Sequence, residues 1–188
     1  MIFDLENHRK EFPHTAVQIV DGRLYGIWMI GNNYKRPNGY YGEYPPHYVD
    51  RVRSLFPKRD HILHLFSGSV VSQDGREHTF DIRETGFHPG VIGRAEEVHK
   101  HFVPESFELV MADPPYSPAD AAAYGTKMPN IPAVMRSLHE VVMPGGVVVW
   151  LSTRPPMYRK DEWNLAGVVG LHCGTNRSFR SVVFLEKI

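Results

Sequence analysis

From residue 59 onward the chain alternates short apolar runs with turns. HILHLF (61–66), HTFDIR (78–83), GVIGRA (90–95), FELVMAD (107–113) and GVVVWLS (146–152) each predict a strand. Several of these runs are continuously apolar, as expected of strands covered on both faces of an α/β sheet. AGVVGLHCG (166–174) and RSVVFLEKI (180–188), with turn-prone Thr175-Asn176 between them, predict a closing antiparallel hairpin. Helical spacing predicts one helix over 47–56, after Pro45-Pro46, and another over 130–143 that stops at Pro144 and the two glycines after it. A shorter helix is expected after Ser117, a good N-cap, with Pro118 in its first turn and Asp120 near the positive end of its dipole. Only eleven residues, 67–77, join the first two strands. Parallel neighbours normally need a dozen or more to cross over, so a trimmed, irregular connection is expected there.

The first 58 residues read differently. They are rich in Gly, Pro, Tyr and Asn, and GNNYKRPNGYYGEYPP (31–46) is turn-rich. The expected organisation is one domain over 1–188. An irregular segment and lid helix (1–58) precede a catalytic sheet (59–188), and no insertion is long enough for a separate target-recognition domain. The fold class is α/β: a seven-stranded, mostly parallel sheet with an antiparallel C-terminal hairpin and reduced helices on one face. No apolar run is long enough to span a bilayer, and MIFDLENHRKEF lacks the apolar centre of a signal peptide. A lone cysteine, Cys173, forbids an internal disulfide, suits a reducing cytoplasm, and reads as a buried structural thiol.

Charge narrows the partners. Lys plus Arg equals Asp plus Glu at 21 each, so a nucleic acid would have to be held by a local patch. Lys35, Arg36, Arg51, Arg53, Lys58 and Arg59 could track a phosphate backbone, as could Arg154, Arg159, Lys160, Arg177 and Arg180. Tyr40, Tyr41 and Tyr44 offer faces for stacking. Among eleven histidines His99-x-His101 is the only close pair, without a carboxylate or cysteine at ligand spacing, so no metal site is expected.

The sharpest chemical feature is Asp113-Pro114-Pro115-Tyr116, directly after the apolar run FELVMA. In an open α/β sheet ligands bind at the carboxyl ends of the strands. The segment therefore puts a carboxylate, a stiffened backbone and an aromatic ring at the expected site. A carboxylate and a backbone carbonyl that accept the two hydrogens of an aromatic amine would favour a pyramidal nitrogen and aim its lone pair at a methyl donor. The prolines fix the carbonyl directions, and Tyr116 supplies a face on which an extruded base could stack. Upstream, Leu65-Phe66-Ser67-Gly68-Ser69 follows the first strand, and its small residues let backbone N–H groups approach a ligand.

The pair LFSGS and DPPY resembles the amino-methyltransferase family, the DNA adenine-N6 and cytosine-N4 methyltransferases, in the variant where the cofactor motif comes first. The resemblance covers roughly residues 39–188 and implies a class I, Rossmann-like methyltransferase fold with S-adenosyl-L-methionine as cofactor. It implicates Asp113, Pro114, Pro115 and Tyr116 in catalysis and Phe66, Ser67, Gly68 and Ser69 around the methionine part of the cofactor, with His64 and Asp113 also among the cofactor-binding residues. Asp81 would hold the ribose, with Glu84 as substitute, and Arg94, Ala95 and Glu96 would flank the adenine. GYYGEYPPHYVDRV (39–52) resembles the element that closes over the methionine end, which implicates Tyr44 and Pro45. LHEVVMPGGVVVWL (138–151) matches the family's helix, Pro-Gly-Gly turn and fifth strand. His64 departs from the acid, and Val70 from the glycine, that many relatives carry. The implied activity is methyl transfer to an exocyclic amino group, with adenine-N6 in DNA ranked first and guanine or adenine in RNA second. A degenerate methyltransferase fold serving as a binding or regulatory protein is the reading from another class. A partner protein for target recognition stays open.

Overall fold

The computed structural model describes residues 2–31, 43–72, 75–84, 86–174 and 179–188. Its elements are helix α1 (Leu5–Glu11), strands β1 (Ala16–Val20) and β2 (Arg23–Met29), helix α2 (Tyr48–Leu55), and strands β3 (Ile62–Leu65), β4 (Glu77–Asp81) and β5 (Val91–Ile92). A 3-10 helix (Ala95–Lys100) leads to β6 (Phe107–Ala112), α3 (Pro118–Ala123), α4 (Ile131–Val141), β7 (Val142–Ser152), β8 (Trp163–His172) and β9 (Arg180–Lys187). All seven expected strands and the three expected helices are present. The Thr175-Asn176 turn and most of the 31–46 loop, with Lys35, Arg36, Tyr40, Tyr41 and Arg177, lie outside the described residues.

The strands form one nine-stranded sheet in the order β1-β2-β8-β9-β7-β6-β3-β4-β5. β7, β6, β3, β4 and β5 run parallel, and β9 lies antiparallel between β7 and β8. The two additional strands correct the expectation of an irregular N-terminal segment. β1 and β2 pair through the two-residue turn Asp21-Gly22, both at positive φ (49° and 76°), and β2 adds parallel to β8. Positive φ at both turn positions matches the strand twist, which is why Asp-Gly makes the link.

Helices cover both faces rather than one. α1 and α2 cover the face of Leu109, Met111, Val147, Val149 and Phe184, while α4 and the 3-10 helix cover that of Val110, Ala112, Val148, Trp150 and Leu185. The reason lies in the strands: β6 and β7 are apolar at successive positions, so each side needs a lid. α4 starts at the Asn130 cap, which accepts from the Ala133 N–H, and buries Val134, Leu138 and Val141. Each such side chain contributes about 1.5–3 kcal/mol relative to exposure. α1 is capped by Asp4 and tied to α2 by a hydrogen bond from Asn7 Nδ2 to the Ser54 carbonyl.

β3 joins β4 without a helix among the described residues of the connection, as the short spacing requires. β7 begins at Val142, earlier than expected, because three extra residues around Pro144 and the glycines bulge opposite Phe107 and Leu109. Among the described residues no helix is long and apolar enough to cross a membrane. β3 and β6 are neighbours, with Leu65 opposite Ala112, so the turns after Leu65 and Ala112 open on the same side.

Candidate active site

The turn after β3 is built by backbone conformation. Phe66 and Gly68 both adopt positive φ (61° and 55°), on either side of buried Ser67. A left-handed phenylalanine is uncommon outside functional turns. The Ser67 N–H donates to the Phe80 carbonyl at 3.1 Å, and Val70 N–H donates to the Ser67 carbonyl at 2.9 Å, which closes the loop. Asp81, at the tip of β4, then locks it: one carboxylate oxygen accepts from the Gly68 N–H at 3.0 Å, and the other from the Ile82 N–H at 2.8 Å. Phe66 meets the Trp150 ring edge-on, centroids 6.3 Å apart, so the aromatic residue is fixed from behind.

The turn after β6 is built by side chains. The Tyr116 hydroxyl donates to the Asp113 carboxylate. Burial pushes the Asp113 carboxyl up to about 7, against the pull of the Tyr116 hydrogen bond and the Arg180 charge. Burial and the neighbouring carboxylate likewise raise the Tyr116 phenol above its ordinary value. The Arg180 guanidinium lies over the Tyr116 ring, 5.0 Å from its centroid, a contact of about 0.5–1 kcal/mol when exposed and more when desolvated. Arg180 reaches this end because β9 runs antiparallel to β7, with Ser181 opposite Ser152. The following helix α3 is capped by Ser117, whose hydroxyl accepts from the Asp120 N–H and donates to the Asp120 carboxylate.

Both turns line one cavity of about 550 Å³. Gly68, Phe66 and Asp81 sit at one end with Arg94, Ala95 and Glu96, and Asp113 to Tyr116 sit at the other with Thr153, Cys173 and Arg180. Tyr44 and Pro45 line it between the two, ahead of α2, and the Tyr44 hydroxyl donates to the Met111 carbonyl at 3.2 Å. Burial, with the nearby Asp113 and Asp81 charges, raises the Tyr44 phenol. Arg94 pairs with Glu96 at 3.1 Å, and the same carboxylate oxygen accepts from the Asn130 N–H.

Three expected residues do not line the cavity. Ser69 lies outside it, and Ser67 points its hydroxyl into protein, where it has no partner among the described residues. His64 is buried beneath Tyr44, ring centroids 5.9 Å apart, with Nε2 3.9 Å from Glu77. Desolvation, with the Arg53 charge, lowers the His64 pKa to about 4, so the ring is a neutral element of the core. Its side chain leaves a short strand sideways, whereas the cavity opens at the strand's tip.

Several basic residues of the expected phosphate track have internal partners. Arg53 pairs with Glu77, Arg59 donates to the Glu108 and Gly145 carbonyls, Arg51 lies 4.4 Å over the Phe12 ring, and Arg159 pairs with Asp161 and Glu162. His99 bonds to Ser137 and His101 packs on Phe80. Among the described residues no three His, Cys, Asp or Glu side chains gather. Thr153, Cys173, Arg83, Tyr124 and Lys127 line the cavity without having been foreseen as site residues. They come from loops and strand ends that only the fold brings together.

The strand order, the antiparallel return of β9 and the pocket at the parallel strand tips define a class I, Rossmann-like methyltransferase fold. TrmN from Thermus thermophilus has the same fold, with a TM-score of 0.56 at 18% identity over 77% of this chain. The chain spans about half (49%) of TrmN's length. The Pyrococcus abyssi tRNA (uracil-54, C5)-methyltransferase, in complex with S-adenosyl-L-homocysteine, aligns with 92% of this chain and 44% of its own, at 16% identity and a TM-score of 0.48. SMU.1697c, a methyltransferase-like protein of Streptococcus mutans in complex with SAH, aligns with 69% of this chain and 88% of its own at 10% identity and 0.41. No protein-family model matches the sequence, and no curated protein matches it.

Proposed function

We propose that the chain is an S-adenosyl-L-methionine-dependent methyltransferase that modifies an exocyclic amino group of a nucleobase, with adenine-N6 in DNA as the first acceptor to test. The observation that carries this reading is the meeting of the Gly68 turn and the Asp113-Tyr116 segment in one cavity at adjacent strand tips. The cavity has the size of an ordinary small-molecule site, in the range of about 300–1,000 Å³. The Asp81-braced Gly68 turn offers backbone at close range, which fits the cofactor's methionine end. Asp81 would hold the ribose, Arg94, Ala95 and Glu96 would flank the adenine, and Tyr44 and Pro45 would close over the methionine end.

When bound, the cofactor supplies a methyl group on a positively charged sulfur. The chain's own residues do the rest. The Asp113 carboxylate and the Pro114 carbonyl accept the acceptor's amino hydrogens and aim its lone pair. Once methylated, the acceptor nitrogen would be cationic, and the proton it sheds would pass to Asp113. A carboxyl with a pKa near 7 is suited to take it at neutral pH. The Tyr116 hydroxyl, which holds Asp113, yields it to the incoming amine.

RNA is the second acceptor. A balanced charge suits a single strand or loop more readily than a duplex that must be opened. We take residues 1–188 as one catalytic unit in either case. Incubation with methyl-labelled cofactor and DNA or RNA, followed by nucleoside analysis, tests the reading. Label in an N-methylated base supports it, and the DNA and RNA arms assign the polymer. Tight cofactor binding with no label in any base would favour the binding or regulatory reading instead.

A further inference from the structure

We propose that Arg180 is the specificity-determining residue of the acceptor end: it holds a phosphate beside the amine and restricts the site to nucleotides. The inference rests on the methyltransferase reading and names its substrate class. Arg180 stands at the start of β9, where the antiparallel return carries it to the tips of β6 and β7. It is half-buried, lines the cavity with Asp113, Thr153 and Cys173, and has its guanidinium carbon over the Tyr116 ring. Among the described residues no carboxylate forms an ion pair with it, whereas Arg94 pairs with Glu96 and Arg159 with two acids. A cation held over a ring, with no salt-bridge partner among the described residues and only the longer-range pull of Asp113, is prepared for an anion. Guanidinium matches phosphate with two parallel N–H bonds.

The same placement selects against the other amines that methyltransferases could meet. A lysine side chain or other alkyl amine enters as a cation and would have to lie beside a fixed positive charge. A nucleobase amine is neutral, and in a nucleotide it is tethered to a phosphate. The phosphate also has an effect on the ring. Drawing the guanidinium toward itself would uncover the Tyr116 face on which the base stacks, so a nucleoside without phosphate would find that face covered.

The test compares phosphate-bearing and phosphate-free ligands on the protein loaded with S-adenosyl-L-homocysteine. Adenosine 5′-monophosphate is titrated against adenosine, and a short single-stranded oligonucleotide against its neutral methylphosphonate analogue, in wild type, Arg180→Gln and Arg180→Lys. The wild-type protein is expected to prefer the phosphate form by about tenfold or more in at least one pair, Arg180→Lys to keep part of that preference, and Arg180→Gln to hold it within about twofold of parity. The monophosphate pair reports a free nucleotide as the source of the phosphate, and the oligonucleotide pair a polymer. Affinity for S-adenosyl-L-homocysteine should be the same in all three proteins, which also reports an intact fold. No phosphate preference in wild type, or one undiminished in Arg180→Gln, overturns the proposal while leaving methyl transfer standing. A loss confined to cofactor affinity overturns it as well, because Arg180 would then be reading the cofactor's own carboxylate. No cofactor binding by wild type would remove both readings together.

Discussion

The two ends of the cavity are made by different means. At the Gly68 end the ligand surface is backbone: two left-handed residues, a closed turn, and one carboxylate that spends both oxygens on N–H groups. At the Asp113 end it is side chain: a carboxylate that accepts from a phenol and a guanidinium over that phenol's ring, with the carboxyl driven to about 7. A backbone surface gives a shape that is present as long as its brace holds. A side-chain cluster is exposed to single substitutions and to pH. The first suits the cofactor of the proposed reaction, and the second its chemical step.

Substitutions can break the contrast most sharply at position 113. Asp113→Ala should lower kcat for methyl transfer by about 10²–10³-fold or more, the scale seen when one transition-state contact is removed, while the cofactor Kd stays within about twofold. A parallel loss of cofactor affinity would mean that the two ends are not separable. Asp81→Ala should do the reverse. The substitution releases the Gly68 N–H and removes the carboxylate proposed to hold the ribose, so cofactor Kd should rise by about tenfold or more. The rate at saturating cofactor should change far less.

The pH profile sharpens the same comparison. In the proposed reaction Asp113 must be ionised to accept the amine's hydrogens, so kcat/KM should fall about tenfold per pH unit below about 7 and level off above it. Cofactor affinity should be flat across that range. The linked stability effect is smaller and has a definite sign. The folded pKa of Asp113 lies above the ordinary value of 3.8, so between about 4 and 7 the folded state holds a proton that the unfolded state has lost. Stability therefore declines through that window as pH rises. Asp113→Asn should raise stability at pH 8 by about 1–2 kcal/mol and by almost nothing at pH 4. Urea midpoints at the two pH values would show this.

Much of the sheet could be read directly because its strands are buried on both faces and carry unbroken apolar runs such as FELVMA and GVVVWL. The Gly68 turn and the Asp113 segment were legible for a related reason, since each follows such a run at once. The N-terminal hairpin was missed although it carried its own signal. Asp21-Gly22 between AVQIV and RLYGIWM is a two-residue turn flanked by alternating residues. Its half-exposed strands lack the continuous apolar runs that marked the others, and the Gly- and Pro-rich stretch that follows masked it. Arg180 was legible only as one charge among several. Its role depends on β9 running back between β7 and β8, a long-range pairing that no local pattern encodes. His64 was drawn into the site by its place ahead of the Gly68 turn, but its side chain leaves β3 toward α2 and is sealed there.

Calorimetric titration of the wild-type protein and Asp113→Ala with S-adenosyl-L-homocysteine is the most direct test. One site per chain, with the same affinity in both proteins and a tenfold or greater loss in Asp81→Ala, is the expected result for a backbone-built cofactor end. The absence of heat in the wild-type protein would contradict it.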